Sequence, residues 1–70
     1  MAEKRVARVT EIIAGSPTSF DDAVAVGISR ANATLRGITG FKIQEQNVSV
    51  VDGQVLEYRV RMEVIFVLES

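Results

Sequence analysis

The sequence contains no cysteine, no histidine and no tryptophan, and among its 70 residues there are one proline, three phenylalanines and one tyrosine. Without cysteine no disulfide can staple the chain, and without cysteine or histidine the usual zinc ligand sets are ruled out. The same two absences remove the commonest general base and the thiol nucleophile. No P-loop, GxGxxG or GxSxG pattern occurs, and no EF-hand loop is present. The sequence therefore predicts a protein that is not an enzyme. Four aromatic rings are too few for a base-stacking platform. Eight basic and nine acidic residues give a net charge of −1 with no basic block, so a nucleic-acid partner is not expected. No apolar run approaches the ~20 residues needed to span a bilayer, which argues against a membrane partner. The opening stretch, Met1 to Ala7, is polar and leads directly into a strand-like pattern. It does not read as a signal peptide, and the expected compartment is cytoplasmic.

What is present is apolar: 47% of residues are hydrophobic. That is too much for a disordered chain, and 70 residues fit a single domain, 1–70, near the lower limit for a self-sufficient core. Small scaffolds add disulfides, metals or partner subunits. With the first excluded and the second lacking its usual ligands, a homo-oligomer is the expected solution.

The chain divides into four pieces. Arg5 to Ala14 is rich in β-branched residues and reads as a strand with apolar residues on both faces. Gly15-Ser16-Pro17-Thr18 is a turn cluster. Ser19 then suits an N-cap, with Asp22 three residues on in a near capping box. Phe20, Ala23, Val24, Gly27, Ile28, Ala31 and Leu35 form one helical stripe. The helix is expected from Phe20 to Arg36, ending at Gly37 with Arg36 in the last turn. Gly27 costs about 1 kcal/mol of helix propensity, which points to close packing of helix on sheet.

Phe41 to Val50 and Gln54 to Leu68 read as two strands around Asp52-Gly53, a strong type I′ hairpin signal. The second strand alternates strictly. Leu56, Tyr58, Val60, Met62, Val64, Phe66 and Leu68 face one way. Val55, Glu57, Arg59, Arg61 and Glu63 face the other. With Asp52-Gly53 as the loop, Phe41 opposes Val64, Lys42 opposes Glu63 and Ile43 opposes Met62. Gln44 then opposes Arg61 and Gln46 opposes Arg59, leaving Glu45 and Asn47 as a polar intrusion on the apolar face. The fold class is α+β: a β-α-β-β chain whose three-stranded antiparallel sheet wraps on one helix. The last strand, at ~47 Å, overhangs that helix, and both sheet edges invite neighbours.

Two polar features are candidates for chemistry. Asp21-Asp22 resembles a metal pair, but both residues sit in the first helical turn, where carboxylates are favoured electrostatically. The face bearing Glu57, Arg59, Arg61 and Glu63 is either a solvated surface with cross-strand ion pairs or an interface and ligand wall. In the latter case the arginines could hold an anionic group.

Read together, these pieces resemble the dodecins. The resemblance lies in Val9-Thr10-Glu11-Ile12, Gly15-Ser16-Pro17 and Ser19-Phe20. It continues through Ala23, Ile28, Arg30-Ala31 and Thr34-Leu35. It ends with Tyr58, Val60, Glu63-Val64 and Phe66-Val67-Leu68-Glu69. It covers the whole chain in order, although no single motif is specific. The resemblance implies a hollow homododecamer that stores or buffers flavins (FMN, riboflavin or FAD), stacking the rings on tryptophans at two-fold interfaces. The tryptophan position falls at Gly40 here, and the position of the glutamine that hydrogen-bonds the ring falls at Arg59. Flavin binding is therefore expected to be weakened, because an aromatic platform contributes about 1–3 kcal/mol per ring by analogy with base stacking. Lys42, Glu45-Gln46 and Tyr58-Arg59 resemble a tryptophan-less, calcium-binding branch. The implied ligand-binding positions are Gly40, Arg59, Glu45 and Gln46. Glu45 matches the acidic position of that branch, and Glu57 or Glu11 could also serve as calcium or divalent-metal ligands when repeated around a symmetry axis. A ligand-free structural cage is the remaining alternative.

Overall fold

A computed structural model describes residues 5–68. The opening residues 1–4 and the closing Glu69 of the resemblance lie outside the described residues. The order is β1 (Ala7–Ser16), α1 (Phe20–Thr34), β2 (Ile38–Val51) and β3 (Gln54–Val67). The three strands form one antiparallel sheet in the order β1-β3-β2, with β3 in the centre. The helix lies across one face of the sheet.

Strand β1 runs two residues later than its pattern suggests. Gly15 and Ser16 pair with Arg59 and Tyr58 instead of turning. The turn is compressed into the residues after Ser16, where Pro17 has no N–H to continue a ladder. Ser19 caps the helix as expected, its Oγ accepting from the Asp22 N–H at 2.9 Å. The capping box does not close: the Asp22 carboxylate instead accepts from the Ser16 hydroxyl at 2.6 Å. Ser16 is almost fully buried, and its Oγ also accepts from the Thr18 N–H at 3.0 Å. This one hydroxyl ties the end of β1 to the start of α1. The helix stops at Thr34 with Leu35 extended, so Arg36 is not in the last turn. Gly37 does adopt a positive φ of 72°, but its carbonyl serves the sheet, accepting from the Val67 N–H at 3.0 Å.

The helix meets the sheet through small residues. Its buried positions are Ala23, Gly27 and Ala31, spaced four apart on one face. A Cβ on Gly27 would stand 2.8 Å from the Met62 methyl and 3.1 Å from the Ala14 Cβ. Glycine therefore accommodates the close approach expected for it. Opposite lie Val60, Met62 and Val64 of β3, all fully buried, with Ala14 of β1. Ile12, Phe20, Val24 and Phe41 close the margins. The Phe20 ring sits edge-on to Tyr58, with centroids 5.1 Å apart.

The hairpin turns at Asp52-Gly53 with φ of 52° and 76°, as type I′ geometry requires. Its register matches expectation at both ends and departs in the middle. Phe41–Val64, Lys42–Glu63 and Ile43–Met62 pair as read from the sequence, as does Val51–Gln54. Between them Glu45 opposes Arg61, Gln46 opposes Val60, Asn47 opposes Arg59 and Val48 opposes Tyr58. Gln44 is an extra residue on β2 and Leu56 a compensating one on β3. The two bulges shift the middle of the hairpin by one residue. The shift sorts side chains: Glu45 and Asn47 move to the charged face and Val48 joins the apolar one, while the bulge at Leu56 brings Val55, expected on the charged face, opposite Val50 on the helix side. The expected Gln44–Arg61 and Gln46–Arg59 pairs, and the polar intrusion, are thereby corrected.

Candidate functional site

The sheet face away from the helix carries the charge. Along β3 it presents Glu57, Arg59, Arg61 and Glu63. Beside them by register lie Glu11, Ile13 and Gly15 of β1, and Lys42, Glu45 and Asn47 of β2. Arg59 Nε donates to Glu57 Oε1 at 2.7 Å. The Glu57 carboxyl also occupies the space over Gly15 that a side chain there would need. Arg61 Nε lies 3.6 Å from Glu45 Oε1, a pairing the bulge at Gln44 makes possible. Both pairs are about half exposed, where an ion pair contributes about 0–1 kcal/mol. Glu11 and Glu63 are directly opposed across β1 and β3. This like-charge juxtaposition follows from the β1–β3 register and was not apparent from the hairpin alone.

The residues implied by resemblance do not converge within one chain. Gly40 opposes Ile65 on the charged face, and Arg59 is six positions along β3 on the same face, about 20 Å away. Glu45 shares the face with Arg59, whereas its neighbour Gln46 opposes Val60 on the helix side. Glu57 and Glu45 each hold an arginine, and Glu11 faces Glu63. Among the described residues no three acidic side chains gather where a metal ion could be held. A single chain therefore does not fit calcium, and Gly40, without a side chain, offers no stacking platform for a flavin. A ring could nevertheless be accommodated at position 40, since a Cβ there would meet only the Ile65 Cδ1, at 3.8 Å.

The strongest structural signal is apolar surface left open. β1 ends opposite Tyr58, so beyond that point β2 and β3 continue as a bare two-stranded arm in a molecule 54 Å long and 20 Å wide. Val48, Val50, Val51, Val55 and Leu56 of this arm are exposed. Val6 just before β1, Val9 and Ile13 along it, and Val26 on the helix are exposed. Between the edge of β1 and α1 runs an apolar groove of about 420 Å³, lined by Ile12, Val26, Gly27, Ala31 and Leu35, with Arg30. Among the described residues no helix is long and apolar enough to cross a membrane.

A β-α-β-β chain with one helix-covered sheet face, one charged face and an apolar overhang is a subunit built to associate. It belongs to the dodecin family: the family model Dodecin matches residues 6–69. The chain is 34% identical to the calcium dodecin of Mycobacterium tuberculosis over 61 residues, 87% of this chain and 86% of that protein. The solved structure of that calcium-chelating protein, described as having a novel calcium-binding site, superposes with a TM-score of 0.80 over 91% of each chain. The dodecin of Streptomyces coelicolor superposes with a TM-score of 0.92 at 33% identity, over 99% of both chains. The dodecin of Thermus thermophilus is 31% identical over 94% of this chain and 96% of its own.

Proposed function

We propose that the chain is the subunit of a homododecameric dodecin shell that holds a small ligand or ion between copies, in a binding and storage role without catalysis. The observation that supports this reading is the exposed apolar surface. Among the described residues eleven large hydrophobic residues stand open, while the buried apolar core holds only Ala14, Ala23, Ala31, Val60, Met62 and Val64. Full burial of a Val or Leu side chain contributes about 1.5–3 kcal/mol, so covering even half of the exposed set favours assembly strongly. The flavin site of this shell is altered, with Gly40 and Arg59 at the family's stacking and hydrogen-bonding positions. Gly40, Arg59, Glu45 and Gln46 contribute to a site made from several copies.

A calcium or other divalent-ion reading is favoured by one further observation, the opposition of Glu11 and Glu63 across the sheet. Like charges facing each other are destabilising, and a cation shared with Glu45 or Glu57 of neighbouring copies relieves them. Native mass spectrometry of the purified protein tests both readings. A twelve-subunit mass supports the shell, and excess mass identifies a flavin or calcium directly. A monomer or dimer overturns the shell. A dodecamer whose mass and melting temperature are indifferent to added riboflavin and calcium leaves the ligand-free cage as the correct description.

A further inference from the structure

We propose that the projecting hairpin arm of one copy seats in the groove between β1 and α1 of a second copy, with Asp52 of the arm pairing with the partner subunit's Arg30. The inference rests on the self-assembly reading above and deepens it by naming the two surfaces that meet.

The arm needs a cover. A two-stranded ribbon is marginal alone in water, and this one carries Val48, Val50, Val55 and Leu56 in the open. By register Val48, paired with Tyr58, and Val50, paired with Val55, lie on the helix side of the sheet, beyond the reach of the helix. The groove is a matching receptor. It is apolar, its volume lies at the lower end of the range of ligand pockets, and Val26 on its wall is exposed. The arm cannot fill its own groove. Phe20, at the helix start, packs on Tyr58; from that contact the arm extends one way and the groove, with Val26, Arg30 and Ala31, the other.

Charge selects the pairing. Among the described residues Arg30 is the only charged one lining the groove. Beyond Tyr58 the arm carries two charged residues, Glu57 and Asp52; Glu57 is held by Arg59 within the chain, which leaves Asp52 at the tip. Among the described residues neither Arg30 nor Asp52 takes part in an ion pair within one chain. Because two different surfaces meet, the contact is head-to-tail, and such contacts close into rings or run on as filaments. A finite shell requires closure, so the arm and groove belong to a cyclic contact.

The absence of cysteine makes the test clean. Val26→Cys and Leu56→Cys are made singly and together in the full chain, then treated with a short bis-maleimide and run on a denaturing gel. The combined variant is expected to give covalent species beyond the dimer, while neither single variant cross-links. Covalent dimers from a single variant, or no cross-link from the combined one while native mass spectrometry shows an intact oligomer, overturn the proposal. Arg30→Gln and Asp52→Asn give a second readout and keep the helix and the left-handed turn. Each is expected to weaken assembly several-fold on dilution, with the double variant no worse than either. Additive losses, or none, overturn the pairing. An unaltered protein that is monomeric refutes the assembly reading itself, an outcome distinct from these.

Discussion

The tie between Ser16 and Asp22 makes the sharpest demand on the structure. Ser16→Ala deletes a hydroxyl that donates to the Asp22 carboxylate at 2.6 Å and accepts from the Thr18 N–H at 3.0 Å, at a site that is only 1% exposed. A hydrogen bond to a charged group contributes about 1.5–3 kcal/mol and a neutral one about 1 kcal/mol. Asp22 is exposed, and water partly replaces the hydroxyl there, so about 2 kcal/mol is expected for the substitution as a whole. For a domain of this size that corresponds to a fall of about 8–16 °C in melting temperature, measured at one protein concentration because association shifts the midpoint. Asp22→Ala removes the same bond and a favourable charge at the helix start. Asp21→Ala removes only the charge, worth about 0.3–1 kcal/mol, because Asp21 has no contact with Ser16. The double variant of Ser16 and Asp22 therefore yields a coupling energy of at least about 1 kcal/mol. If Asp21→Ala and Asp22→Ala are equally destabilising and the coupling is negligible, the hydroxyl does not join β1 to α1 and the reasoning fails.

Gly27→Ala gains about 1 kcal/mol of helix propensity but places a methyl 2.8 Å from the Met62 methyl and 3.1 Å from the Ala14 Cβ. Overpacking of about 1–3 kcal/mol outweighs the gain, so the melting temperature falls; a rise would refute the close approach. Gly53→Ala and Gly37→Ala both force alanine into positive φ, but a Cβ at 53 meets nothing, whereas at 37 it meets the Val67 carbonyl oxygen at 2.9 Å. Thermal melts should rank Gly37→Ala as the more damaging, and equal losses would contradict the geometry. Gly40→Trp with Arg59→Gln is expected to raise riboflavin affinity in the assembled protein, followed by fluorescence quenching. Because the two positions are about 20 Å apart in one chain, the gain should vanish on dilution to monomers, and an intact double variant without gain refutes the altered-site reading. Glu45→Gln should cost no more than about 1 kcal/mol, because its partner Arg61 is half exposed; a much larger loss in a denaturant melt would show the pair to be buried by a neighbour.

The fold was legible because its signals are local and agree with one another. Ser19 caps the helix, Asp52-Gly53 sets the turn, and strict alternation along β3 identifies the buried face. The errors arose where one residue changes the count. Four consecutive polar residues, Gln44 to Asn47, break the alternation of β2 and were the only warning of a bulge. Placing Glu45 beside Arg61 required knowing on which strand the extra residue falls. Ser16 read as a turn residue because its composition suits one, whereas burial and the Asp22 carboxylate hold it in the strand. The site was less legible than the fold. Gly40, Arg59, Glu45 and Gln46 were placed by resemblance and Glu57 and Glu11 added as further carboxylates; one chain scatters them along the sheet, with Gln46 on the helix side. The opposition of Glu11 and Glu63 depends on two strands separated by most of the sequence, which no short-range pattern encodes.

The strand order bears on how the molecule comes into being. β1 and β2 make no contact with each other among the described residues; each pairs only with β3. A ribosome that has delivered β1, α1 and β2 has therefore delivered no sheet at all, only two strands without a partner and a helix of 15 residues, a length that is marginal on its own in water. Synthesis of β3 then supplies both ladders and the three buried side chains beneath the helix at once. Folding is thus deferred to the arrival of one segment, and a chain cut short before Gln54 lacks both ladders of the sheet.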